Sequence, residues 1–262
     1  MSNRLIGGVA LLVAAVGFPA AFAQHAEEHE TEKIEVPSIP DASGKRPALA
    51  AAAKAIFEQT NAFRKKEGRT PVALDPKLAA TAQYFADFMA KTDEYGHTAD
   101  GHSPGERAKK HGYEYCIIAE NIAYEFSSEG FDTGPLAERF VTGWQKSPPH
   151  RKNMLDPDVT QLGVAVARSE KTGYYYAVQD FGRPKSAAVV FKVENRAGED
   201  VKYAIGDRTF DLAPRVIRTH TRCRPAELTF HWPGGKTEPV KPAAGERLLV
   251  TKGKGGFTVK KE

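Results

Sequence analysis

The sequence is poor in cysteine: its 262 residues include two, Cys116 and Cys223. One disulfide at most is available, so a cysteine-stapled framework is excluded and a packed core must hold the chain. The two thiols either pair or stay buried and free; a bridge would tie the main part of the chain to its C-terminal region and contribute ~2–4 kcal/mol. Long apolar runs are missing after residue 18, which excludes a transmembrane span in the mature chain. No cysteine follows the early apolar run, which argues against export as a lipoprotein. An excess of one sign of charge is lacking too, and a formal net charge of +4 leaves no footprint for nucleic acid. No internal repeat is present, so a solenoid is excluded.

What is present begins with an export signature. Arg4 precedes an apolar stretch from Leu5 to Phe18, and Ala21-Phe22-Ala23 supplies the small residues of a cleavage site. Residues 1–23 therefore read as a secretory signal peptide, with an uncleaved anchor as the competing reading, and the expected location is secreted or periplasmic. Residues 24–47 are polar, with five glutamates between Glu27 and Glu35 and prolines at 37, 40 and 47. This composition predicts a disordered linker, although His25 and His29 would also suit a metal-scavenging tail.

Helical spacing begins near Ala48, with Ile56, Phe57, Thr60 and Phe63 on one face and Gly68 as the stop. Asp75-Pro76 opens a second helix with stripe Leu78, Ala82, Phe85 and Met89. Residues 92–104 read as loop, 104–111 as a short helix ended by Gly112, and 136–145 as a further helix. Leu162, Val164 and Val166, then residues 174–181 after a turn at Gly173, predict a hairpin. Helices followed by an antiparallel pair indicate an α+β domain over residues 48–184. Residues 185–262 hold short candidate strands at 189–193, 201–205, 209–212, 228–232, 247–251 and 257–260, the pattern of a small all-β, sandwich-like module. Sixteen lysines and arginines against nine acids give this module a balance of +7, which suits an anionic envelope polymer or lipid as well as a plain packing role.

Four segments carry the candidate chemistry. They are Gly96-His97-Thr98 with Gly101-His102-Ser103-Pro104-Gly105-Glu106-Arg107; Ala119-Glu120-Asn121-Ile122-Ala123; residues 144–155 around Trp144, Ser147 and His150; and Gly163-Val164-Ala165-Val166 with Tyr176-Ala177-Val178-Gln179-Asp180-Phe181-Gly182. In order and spacing they resemble the CAP superfamily (cysteine-rich secretory proteins, antigen 5 and pathogenesis-related class 1 proteins), in its bacterial SCP-like branch, over residues 48–184. The resemblance implies a three-layer α-β-α sandwich with a cleft holding two histidines and two acids. Position by position, the histidines fall on His97 and His150 and the first acid on Glu120. The second acid position is occupied by Ser147, and Glu106 is a candidate substitute.

Two imidazoles and a carboxylate suit a divalent metal, Zn or Mg, and without metal the same groups suit acid/base work. Ser147 with His150 and Glu120 invites comparison with a serine nucleophile, but Ser147 ahead of Pro148 reads more simply as a helix cap. Arg107 and Arg151 suit either an anionic ligand or local ion pairs. Trp144 and Phe181 read as core, His102 and His111 as exposed, and Glu114, Tyr115 and Tyr124 as groove-lining. The resemblance implies sterol or lipid binding in some members and no common enzymatic activity. The expected function is an exported binding protein for a small ligand, lipid or envelope component. A metal-dependent hydrolase or peptidase using the same cleft, and a structural or adhesion module, are the alternatives.

Overall fold

The structure is a computed structural model that describes Glu32, Lys33 and residues 44–262. The expected signal peptide, His25, His29 and most of the expected linker lie outside the described residues. Glu32, Lys33 and residues 44–47 are the described part of that linker. β1 (Glu32–Lys33) pairs antiparallel with β3 (Glu94–Tyr95), and Lys45 bridges to Gly130.

The first helix, α1 (Leu49–Lys66), buries Ala52, Ile56, Thr60 and Phe63 at helical spacing. β2 (Ala73–Leu74) leads to α2 (Pro76–Thr92), whose N-terminus is capped as expected: the Asp75 carboxylate accepts from the amides of Lys77 and Leu78. α3 (Pro104–Lys110) starts with a capping box between Ser103 and Glu106. Then come β4 (Tyr115–Glu125), α4 (Thr133–Lys146), α5 (Pro148–Met154), β5 (Gln161–Arg168) and β6 (Tyr175–Pro184).

The sheet order is β2-β5-β6-β4, so β4 is an edge strand. Both faces of the sheet are buried, because side chains alternate between two cores. Leu162, Val164, Val166, Ala177 and Phe181 pack with α1 and α4 through Ile56, Phe140 and Trp144. Ala165, Ala167, Tyr176 and Val178 pack on the opposite side with Phe85 and Met89 of α2. These are the three layers of an α-β-α sandwich. Trp144 and Phe181 lie in the core, as their positions predict.

Residues 189–261 form an all-β module of two four-stranded sheets. One has the order β10 (Ile217–Arg222), β7 (Val189–Asn195), β13 (Arg247–Gly253), β14 (Gly256–Lys261). The other has the order β12 (Thr237–Val240), β11 (Leu228–His231), β8 (Val201–Ile205), β9 (Arg208–Leu212). Phe191, Val193, Tyr203, Phe230, Leu248 and Val250 fill the space between them. Cys116 of β4 is bonded to Cys223, just beyond β10, across 107 residues of sequence.

Candidate functional site

Edge strand β4 carries the centre of the site. Glu120 points toward α3 and the loop after β3, and its side chain is 1% exposed. One oxygen accepts from His97 Nδ1 at 2.8 Å, the other from Arg107 Nη2 at 2.7 Å. A carboxylate can only accept, so Nδ1 of His97 carries the proton of this bond, and Nε2 is the ring nitrogen not engaged with Glu120.

Arg107 is the strut of this corner. Its side chain has no exposed surface, and it also meets Asp100 at 2.7 Å. The same guanidinium donates to the carbonyls of His97 and His102 at 2.9 and 2.6 Å, which ties down the loop that presents His97. Its flat face lies 3.5 Å from the Phe85 ring centre. Arg107 is therefore part of the frame; buried and bonded in this way, it does not present its charge to a ligand, which corrects that reading. Arg151 takes the local option as well, pairing with Glu67 at 2.7 Å.

His150 comes from α5. Arg64, at the end of α1, donates to the Met154 and Asp156 carbonyls at 2.6 and 3.1 Å and fixes the last turn of that helix. Asn121 donates to the His150 carbonyl at 3.2 Å. Asn153 bonds the Glu120 carbonyl at 3.2 Å and the Asn121 side chain at 2.9 Å. The chain continues inward from Asn121 to Gln179 at 3.1 Å and from Gln179 to Thr60 at 2.7 Å. Each buried amide here has a partner, so the network locks α5, β4, β6 and α1 together.

His97, Glu120 and His150 thus meet in one open cavity of ≈ 320 Å³, whose remaining walls are Pro104, Ala119, Pro149 and Asn153. Burial lowers the pKa of the His150 imidazole from its ordinary value, and the neighbouring His97 lowers it further.

Five expected participants do not line the cavity. Glu106 is exposed and spends its carboxylate on the Ser103 amide and hydroxyl, so it is not a substitute acid. Ser147 occupies the N-cap position of α5 but its side chain makes no capping bond. It does not line the cavity either, so neither the hydroxyl cap nor the serine nucleophile is supported. Tyr124 packs against Tyr95 and Tyr174 in an aromatic cluster toward the far end of β4, away from the cavity. Glu114 and Tyr115 do not line it. His102 is exposed, whereas His111, at the end of α3, is partly covered by Tyr84.

The metal expectation does not fit this donor set. Both Glu120 oxygens are engaged, Ser147 offers no carboxylate, and among the described residues no group of three His, Cys, Asp or Glu is arranged to hold an ion.

Asp180 is the site residue that pattern reading passes over. It is cross-strand partner to Glu120 on one side and Gly163 on the other, and it is completely buried. Burial, then the charge of Glu120, raises its pKa well above the ordinary carboxyl range, against the opposing pull of Arg107. The Glu-Asn-Ile-Ala and Gln-Asp-Phe-Gly segments both contain it or its partner. The missing signal was the register that places them opposite each other.

Residues 57–181 match the model of the cysteine-rich secretory protein family, CAP. The YkwD protein of Bacillus subtilis is 32% identical over 123 residues, covering 47% of this chain and 45% of its own length. An extracellular SCP-domain protein from Bacillus anthracis is 26% identical with a TM-score of 0.43, covering 52% of this chain and 41% of its own. An outer surface protein from Borrelia burgdorferi is 21% identical with a TM-score of 0.44, covering 51% of this chain and 93% of its own. The chain spans less than half the length of the first two of these relatives.

Proposed function

We propose, from the premise that residues 57–181 are a CAP domain, that the protein is exported and uses the His97–Glu120–His150 cavity to bind a small polar ligand of the cell envelope. The observation that carries this reading is the buried Arg107–Glu120–His97 relay facing His150 across an open hollow. Frame residues consume the charges of Arg107 and Glu120. What reaches the cavity is imidazole and amide, which suits hydrogen bonding to a hydroxyl, amide or carbonyl. Pro104, Ala119 and Pro149 are the only apolar residues in a lining otherwise made of His97, Glu120, His150 and Asn153, so a polar ligand is favoured over a lipid. Export is supported by the N-terminal signature and by the Cys116–Cys223 bond, which belongs in an oxidising compartment. Among the described residues no helix is long and apolar enough to cross a membrane.

A second reading rests on one specific geometry. The 2.8 Å His97–Glu120 bond is that of an oriented general base, so hydrolysis through activated water is the rival function.

One experiment addresses both. N-acetylglucosamine, N-acetylalanine amide and decanoate are titrated while the imidazole resonances of His97 and His150 are followed by NMR. Saturable shifts with either polar probe, abolished in His150→Ala, are expected. Shifts with decanoate alone reverse the preference for a polar ligand, and silence of both rings with every probe removes the cavity as the binding site. Turnover of an amide probe, lost in His97→Ala, establishes the rival.

A further inference from the structure

Strand β10 is not announced by apolar alternation, because the face it turns toward the sandwich interior reads Arg218, His220, Arg222. Its neighbour across the sandwich, β9, turns Arg208, Phe210 and Leu212 the same way. Each is the outer strand of its sheet, so the two frame the open side of the module. His220 is 9% exposed, bonded to Tyr203 Oη at 2.8 Å and stacked on Phe191. The guanidinium groups of Arg208 and Arg218 lie 5.5 and 5.4 Å from the Phe210 ring centre.

Charge is left uncompensated here. Arg196, Arg224, Arg247, Lys202, Lys252 and Lys261 of the same module are each paired with a carboxylate. Among the described residues Arg208, Arg218 and Arg222 have no such partner, nor do Lys192, Arg215, Lys236, Lys241, Lys254 and Lys260; Arg208 and Arg218 differ in gathering at one ring, Phe210. Their combined field is felt by His220, whose pKa is lowered by burial first and then by Arg218, Arg222 and Arg208.

We propose that this β9–β10 mouth binds a linear polymer bearing phosphate or carboxylate groups, held by Arg208, Arg218 and Arg222. Guanidinium forks match both groups bidentately. Arg218 and Arg222 are four residues apart on one strand face, a separation of about 13 Å. That span exceeds the reach of one small anion and suits a repeating one. Arg222 also lines a groove of ≈ 580 Å³ between the two modules, together with Tyr115, Ile117 and Ile118 of β4. Two residues further along β4 is Glu120, so the arginine row leads toward the cavity and supplies a second, independent contact for an envelope polymer.

The test uses the full mature chain on immobilised inorganic polyphosphate and, separately, polygalacturonate, which tell phosphate from carboxylate. Salt-sensitive retention on at least one polymer is expected, with affinity falling roughly tenfold or more in R208Q/R218Q/R222Q. A control of equal charge loss, K236Q/K254Q/K260Q, should stay within about twofold of wild type. In wild type, the retained polymer should also raise the His220 titration midpoint, a readout that does not depend on any variant folding. Equal losses in the two triple variants overturn the proposal in favour of diffuse attraction. No retention of wild type at low salt overturns it outright. Unchanged retention with self-association of R208Q/R218Q/R222Q also overturns it, marking the arginines as guards of the strand edges.

Discussion

Asp180 is a carboxyl group with no exposed surface, set against the Glu120 carboxylate of the neighbouring strand. Glu120 and Arg107 are the charges that act on it, and Arg107 also pairs with Asp100, so one guanidinium serves three carboxyl groups. The ion-pair geometry assigns Arg107 to Glu120 and Asp100. Burial and the Glu120 charge raise the pKa of Asp180 well above its ordinary value, so the proton of this cluster is held most firmly there. The sign of the stability effect follows from linkage. Above the ordinary value of 3.8 the unfolded chain releases this proton while the folded chain keeps it, so Asp180 costs progressively more stability as pH rises toward its folded value. Asp180→Asn, isosteric with the neutral acid, removes that cost. Thermal unfolding should show the variant several degrees more stable than wild type at neutral pH, with the gap closing below the ordinary aspartate value. A variant less stable than wild type at neutral pH would mean that Asp180 is ionised in the fold. The carboxyl was readable as a letter in Gln179-Asp180-Phe181, but its burial depends on a register that pattern cannot supply. His97, Glu120 and His150 were legible through motif order. Arg107 was legible as a cation, but its role as a frame residue was not.

At the scale of elements, helices were the most readable, because apolar spacing, the Asp75 cap and the glycine stop after α3 all act locally. β4 was not assigned as a strand. Its sequence Tyr-Cys-Ile-Ile-Ala-Glu-Asn-Ile-Ala has no clean alternation, since Glu120 and Asn121 face two different buried polar networks. β10 and β12 escaped for related reasons: β10 directs charges inward, and β12 contains Pro239 on an edge strand, where its missing amide costs no ladder bond. The hairpin of β5 and β6 was legible, and Gly163 within it has a specific task. A Cβ built there would lie 2.1 Å from the carbonyl carbon of Leu78 and 2.3 Å from the amide of Ala79. These are backbone atoms of α2 and cannot swing aside, so the helix can approach the sheet this closely only over glycine. Gly163→Ala should destabilise by ~1–3 kcal/mol through displacement of α2. Urea unfolding measures this as a lower midpoint at unchanged slope. A loss under about 0.5 kcal/mol would show that α2 is free to shift.

The whole molecule is two cores joined at few points. The sandwich core and the β-module core are separate hydrophobic clusters, and the chain passes between them at residues 185–188. Among the described residues two side-chain links cross the junction. Arg224 forms ion pairs with Asp156 at 2.6 Å and Asp158 at 2.8 Å, and Cys116 is bonded to Cys223 next to it. Burial alone would raise Asp156, but its bonds to Arg224 and to the Asp158 amide outweigh this and lower its pKa. Arg224 is about half exposed, so solvent screening limits this ionic link to ~0–1 kcal/mol. The disulfide closes a loop of 107 residues, for which chain entropy predicts ~4–5 kcal/mol. The covalent link is thus the dominant one. Because it spans the two cores, it constrains the unfolding of each by the other. Calorimetry of wild type should show one cooperative transition, and C116S/C223S should show two, the lower one assigned to the module by the Trp232 signal. Arg224→Ala alone should leave the single transition in place and shift it by no more than a few degrees. Two transitions already present in oxidised wild type would mean that the bond tethers the modules without coupling them. The arginine row and the cavity would then be held on one chain but not in a fixed relation.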